Sequence, residues 1–266
     1  MTSNRQNENT TLAPRDVDRL LRRFDASFRP YGRALARRYG TDRAARLAEA
    51  TRQRYATLLP ESPRFRGVLN IFNTVISANA LIVSLRWAMR EEGLSVDETM
   101  SLLFDVADAQ HRSMPRVVRW LARKVFFSRL FLWIAQRSAE NVRSHPEGWT
   151  IDYRKGDGQA CDWCFECSDC GAVKYLRKHG APELAPYCNY IDFIQSRAFG
   201  LGMVNPETLG QGCGACREYF KQGRPTDVPG NLASLVDDGA PSTPVTDEVR
   251  STGQVGAVVA ETKMLG

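Results

Sequence analysis

All seven cysteines of this chain fall between positions 161 and 216, at Cys161, Cys164, Cys167, Cys170, Cys188, Cys213 and Cys216. Four of them stand at a strict spacing of three in "CDWCFECSDC". Any fold for this chain has to account for thiols confined to one short region, either as ligands or as nucleophiles. The polar start "MTSNRQNENTTLAP" has no apolar stretch of the kind that opens a secretory signal. The expected compartment is therefore cytoplasmic and reducing, which disfavours a disulfide framework, as does the odd cysteine count.

The sequence pattern changes once, at Gly148. Before it, apolar residues recur at helical spacing. "DVDRLLRRFDASFRPYGRALARRYG" predicts a helix with a break at Pro30, and "TDRAARLAEATRQRYATLL" predicts a second that stops at Pro60. Ser62-Pro63 marks the start of a third, running to Gly93. Gly67–Leu85 carries no charge but is too polar to favour spanning a bilayer, so it reads as a buried helix. "SVDE" at 95–98 is a capping box. A helix from Pro115 to about Arg143 follows, and its middle, "VFFSRLFLWIA", predicts a central buried helix. Arg116, Arg119, Arg123 and Lys124 precede that segment, and a weak association with a membrane surface is the other reading.

After Gly148, "GWTIDYR" alternates like a strand, "AVKYLRKHG" and "PELAPYCNYIDFIQSRAFG" are helical, and "PETLGQGCGACREYF" reads as strand, turn, strand. The expected fold is α+β: a disordered N-terminus (1–14), a mostly helical region (15–147), a small cysteine-rich mixed α/β region (148–222) packed on it as one domain (15–222), and a disordered tail (223–266). Residues 1–60 hold thirteen Arg against six acidic residues. They recur at helical spacing without a Gly-rich or aromatic recognition pattern, so a solvated helix face is expected and no nucleic acid.

Two residues between cysteines let both thiolates turn onto one ion, so C-x2-C is a natural zinc half-site. Cys161, Cys164, Cys167, Cys170, Cys213 and Cys216 are the candidate zinc ligands. An iron–sulfur cluster is the alternative, but Cys170 comes one residue early for a ferredoxin run, and Asp162, Glu166 and Asp169 add negative charge. Cys188 stands apart near a helix start, with Asp192 at i+4 and His179 and Glu183 upstream. This is the arrangement of a nucleophile with a neighbouring base, or of a buried cysteine that only packs.

"CGAVKYLRKHGAPELAPYCNYIDF" followed by "PETLGQGCGACREYF" resembles the L-2-amino-thiazoline-4-carboxylic acid hydrolase family. Cys170, Gly180, Pro182, Glu183, Leu184, Pro186, Cys188, Asp192, Thr208, Leu209, Gly212 and Cys216 match its pattern in order. The family's Cys-Asp-Phe is replaced by Cys216-Arg217-Glu218, and Cys161, Cys164, Cys167 and Cys213 are additional thiols. The resemblance implies a hydrolase of small-molecule, secondary metabolism that opens or cleaves a C–N bond in a heterocyclic or amidine-like substrate. For such chemistry Cys188, Asp192 and Cys170 are the expected catalytic residues, with metal-activated water as the alternative, and His179, Glu183 and Thr208 are the expected substrate-binding residues. The competing expectation is a non-enzymatic zinc or iron–sulfur protein acting as scaffold or redox module.

Overall fold

The computed structural model describes residues 14–67 and 70–236. The residues 1–13 and 237–266, assigned above to a disordered start and tail, lie outside that range. Eight α-helices and a four-stranded sheet make up the described chain, an α+β fold with the helices first.

Helices α1 (Pro14–Tyr39) and α2 (Thr41–Leu58) form an antiparallel pair. Pro30 sits inside α1 without ending it. The two helices are joined by an aromatic ladder in which Phe24 stacks on Phe28 at 5.1 Å and on Tyr55 at 4.6 Å. The third helix does not start at Ser62-Pro63. α3 runs Ile71–Glu91, because Asn70 takes an extended backbone and its side chain accepts from Phe72 N. Asn73 meanwhile exchanges two hydrogen bonds with the backbone of Phe65, which ties the incoming loop to the helix. By length and composition alone α3 could cross a membrane, yet half of its apolar window is buried. It packs against α2, α4, α6 and α7. Its polar residues are turned onto their own helix: Ser77, Asn79 and Ser84 each donate to the carbonyl four residues back. α4 (Val96–Arg112) opens on Ser95 with both hydrogen bonds of the capping box.

The expected helix from Pro115 to Arg143 is two helices, α5 (Arg116–Phe126) and α6 (Arg129–Val142). Ser128 causes the break: it leaves the helical region and accepts from Phe131 N, starting a new helix. The expectation that this segment is a buried centre is overturned. α5 buries no residue, and Val117, Val118, Trp120, Leu121, Val125, Leu130 and Trp133 are exposed.

The sheet is antiparallel throughout, in the order β1 (Thr150–Lys155), β2 (Trp163–Asp169), β4 (Cys216–Phe220), β3 (Met203–Glu207). Much of the cysteine run is therefore strand. Register puts Tyr153 beside Phe165, Phe165 beside Glu218, and Cys167 beside Cys216. These residues share one face. The opposite face carries Arg154, Glu166 and Arg217, linked as ion pairs with Glu207 added at the edge. Helices α7 (Gly171–Lys178) and α8 (Tyr190–Phe199) lie between strands β2 and β3 in the chain, joined by a short 3-10 helix at Pro182–Tyr187.

The expectation of a disordered tail from 223 is corrected for its first part. Residues 223–236 are placed, with a 3-10 helix at Gly230–Leu235 packed on α4 and on the Pro182–Tyr187 turn, and Leu232 fully buried.

Candidate functional site

Four chain segments meet at one end of the sheet's inner face. β2 brings Cys167, and β4 brings Cys216 directly beside it. The N-terminus of α7 brings Cys170, and the junction between the 3-10 helix and α8 brings Cys188, with Asp192 in the first turn of α8. Glu218 follows Cys216 by two residues on β4 and so points to the same face.

Two glycines make this convergence sterically allowed. A Cβ at Gly210 would stand 1.9 Å from the Ala185 carbonyl and 3.0 Å from the Cys188 sulfur. A Cβ at Gly171 would stand 2.5 Å from the Glu147 carbonyl and 2.7 Å from the Trp149 ring. Thr208 caps the turn after β3, its hydroxyl accepting from Gln211 N. That turn aims the Leu209 N–H at the Cys216 sulfur, 3.1 Å away.

The thiols work in two pairs. The Cys167 sulfur, which donates to the Asp169 carbonyl at 3.3 Å, also lies beside Cys170, and the contact between the two thiols lowers Cys170 to about 7, helped by the Val173 and Ala172 amides at the helix N-terminus and by the Trp149 side chain. The same contact, together with burial, pushes Cys167 far up, so it remains a thiol. In the second pair Cys188 donates to Cys216. Cys216 is lowered by that bond and by the Leu209 amide, while Cys188 is raised well above its usual value by the bond and by burial. Each pair thus holds one proton donor and one sulfur disposed to ionise.

The carboxyls behave differently from surface acids. Burial raises Asp192 to about 6. Burial also raises Glu218 well above the normal range, and the charges of Asp192, Cys216 and Cys170 add to it. Asp192 and Glu218 are half-buried as residues, and it is their carboxyl groups that are desolvated. Tyr153 and Tyr190, both buried, have phenols pushed up mainly by the same desolvation and stay neutral.

The other expected site residues stand elsewhere. His179 is at the opposite end of α7 from Cys170, about 13 Å along the helix. It lines a separate cleft of about 340 Å3 with Arg54, Glu61, Trp87 and Lys178. Glu183 pairs with Arg86 at 2.8 Å, and Arg86 also donates to the Leu94 carbonyl and to Thr99. Burial alone would raise the Glu183 carboxyl, but the Arg86 contact outweighs it and the carboxyl is lowered. Glu183 therefore tethers the 3-10 helix to α3. Thr208 shapes the turn under Cys216 as described.

Of the six candidate zinc ligands, Cys161 and Cys164 are joined as a disulfide, against the expectation of free thiols. Cys164 lies on the sheet face opposite Cys167 and Cys216. Cys213 sits half-buried in the turn before β4, and only Cys167, Cys170 and Cys216 join Cys188 in the cluster. Among the described residues no group of three or more His, Cys, Asp or Glu is disposed to hold a metal ion.

Glu218, Tyr153 and Trp149 were missing from the sequence reading of the site. The alternation Cys216-x-Glu218-x-Phe220 on a predicted strand is the signal that points to Glu218, because it puts the carboxyl on the face of the thiol. Comparison with protein-family models, curated proteins and solved structures finds no match for this chain, which leaves the motif from Cys170 to Cys216 and the geometry of the cysteine cluster as the two supports for a functional reading.

Proposed function

We propose that the chain is a hydrolase of the L-2-amino-thiazoline-4-carboxylate hydrolase type, acting on a C–N bond of a small heterocyclic or amidine-like substrate at the cysteine cluster around Cys170. The observation that carries this reading is the meeting of an ionisable sulfur and a protonated carboxyl in one buried place. Cys170 is lowered to about 7, while Glu218 is held protonated. A nucleophile and a proton donor thus coexist near neutral pH, as such a reaction requires.

The steps balance with water as the only co-reactant. The Cys170 thiolate adds to the electrophilic carbon, forming a C–S bond. The C–N bond breaks, its electrons go to nitrogen, and nitrogen takes the proton of Glu218. Water then loses a proton to Asp192 and attacks the same carbon, which releases the Cys170 thiolate. Proton exchange between Asp192 and Glu218 resets the site. In this scheme Cys188 is a hydrogen-bond donor to Cys216 and not the attacking group, a change of role that follows from its raised pKa.

The test is turnover on a panel of thiazoline, amidine and carbamoyl amino acids. Cys170→Ser and Glu218→Gln should each lower kcat by at least ~10²-fold with folding intact. A wild type that turns over nothing on the panel, or variants of full activity, would sink the proposal. A zinc or iron–sulfur scaffold is the competing reading, with ligands drawn from the expected thiols that remain free, Cys167, Cys170, Cys213 and Cys216, which would have to rearrange to bind a metal. Metal analysis of anaerobically purified protein separates the two, since the hydrolytic scheme needs no metal.

A further inference from the structure

Helix α5 is built inside out. Its exposed side carries Val117, Val118, Trp120, Leu121 and Val125, with Val117 74% exposed. Its half-buried side carries Arg119, Ala122, Arg123 and Phe126, and the Nε atoms of Arg119 and Arg123 are buried without a hydrogen-bond partner. The first turns of α6 continue the apolar surface with Leu130 and Trp133, 64% and 60% exposed. Seven of the eight large exposed apolar side chains of the described residues lie on this one hairpin. A patch so concentrated marks an interaction surface.

Charge identifies the partner. No Asp or Glu occurs between Asp108 and Glu140, while seven Arg and Lys do. Arg116, Lys124 and Arg129 rim the apolar face, all exposed, and Lys124 stands 6.0 Å from the Trp120 ring centre. Two copies of this face would oppose like charges, which argues against self-association. Exposed Trp and Leu flanked by Arg and Lys are what a helix lying in a lipid–water interface requires: the apolar side chains enter the acyl boundary and the cations meet anionic headgroups. The hairpin is also firmly mounted. The Phe126 ring packs on Phe165 and Phe220 of the sheet, and Trp163 Nε1 donates to the Phe126 carbonyl at 3.0 Å.

We infer that the α5–α6 hairpin docks the protein on an anionic lipid surface, with α5 lying parallel to the membrane plane. This is independent of the chemistry proposed for the cysteine cluster. The test is co-sedimentation of the full chain with vesicles of phosphatidylcholine, with and without about one third phosphatidylserine. Wild type should bind the anionic vesicles and lose at least ~10-fold in affinity in high salt, because exposed charges are screened. Trp120→Ser/Trp133→Ser and, separately, Arg116→Glu/Lys124→Glu should each weaken binding at least ~10-fold. Unchanged circular dichroism melting would show that both variants fold. Failure to bind anionic vesicles, or binding that survives both double substitutions, overturns the inference. Self-association removed by the tryptophan pair, or capture of an acidic protein without vesicle binding, would assign the face to another occupant and overturn it equally.

Discussion

At Cys170 the decisive quantity is the proton held by its neighbour. The thiol comes down to about 7 chiefly through its contact with the Cys167 side chain, so Cys167 is a positioning residue for the ionised sulfur. A thiol lowered from its ordinary value near 9 alkylates at correspondingly lower pH. Iodoacetamide labelling followed by mass spectrometry should show a Cys170 component with a midpoint near pH 7. Cys167→Ala should move that midpoint upward, and an unmoved midpoint would mean that the helix amides and Trp149 suffice alone. Asp192 has the opposite sign. Its folded pKa, about 6, lies above the ordinary 3.8, so the folded state holds this proton more tightly than the unfolded one. Its contribution is fully present below pH 3.8 and is lost as pH rises through 6. Asp192→Asn should therefore stabilise the protein at pH 8, by roughly 3 kcal/mol at most, and not at pH 3.5. Denaturant melts at the two pH values check it, and a site that costs stability where it functions is the expected result. Glu183 supplies a contrast. Glu183→Ala should destabilise by about 1–3 kcal/mol, because the buried Arg86 guanidinium loses its carboxylate and keeps only its bonds to the Leu94 carbonyl and Thr99. A loss of substrate affinity at unchanged stability would instead return Glu183 to the binding site.

At the scale of elements, local rules predicted what local contacts decide. The capping box at Ser95–Glu98 formed as written, and the alternation of "GWTIDYR" became β1. Where tertiary contacts compete, the same rules missed. Ser62-Pro63 has the form of a helix start, but Ser62 instead donates to the Leu58 carbonyl and meets the Tyr175 hydroxyl at 2.8 Å, and Asn70 takes over the cap. "VFFSRLFLWIA" has the composition of a core helix, yet Ser128 divides it and much of its apolar surface faces out. Composition reports how apolar a segment is and not which face the rest of the chain covers. The candidate site was legible where the motif ran continuously, at Cys170, Cys188 and Asp192. For Glu218 the alternation on β4 shows only the face it shares with Cys216; its burial was illegible because it comes from pairing with β2, fifty residues earlier in the chain. His179 was misplaced for the converse reason, since α7 carries it away from a cysteine only nine residues distant.

At the scale of the whole molecule, the cysteine cluster depends on a clasp from the far end of the described chain. Asn189, next to Cys188, is buried and donates to Asn205 on β3 at 2.6 Å. Asn205 in turn donates to the Arg217 carbonyl on β4 at 2.7 Å. Asn231 closes the circuit with 2.7 Å bonds to the Asn189 side chain and the Pro186 carbonyl. One buried amide network therefore fixes the junction carrying Cys188 and Asp192 against the strand carrying Cys216 and Glu218. Leu232, fully buried beside it, anchors the last turn to the core. Leu232→Ala should cost about 2–5 kcal/mol by creating a cavity. Asn231→Ala should cost less, about 1–3 kcal/mol, but it strikes the site directly by leaving the Asn189 oxygen without this donor. The two variants separate anchoring from clasping. Chemical denaturation should rank Leu232→Ala as the weaker fold. Alkylation of Cys188 at constant pH should instead rise more in Asn231→Ala, because the junction can then open locally without global unfolding. If Cys188 labelling follows global stability in both variants, the network carries no local role and the segment is merely packing.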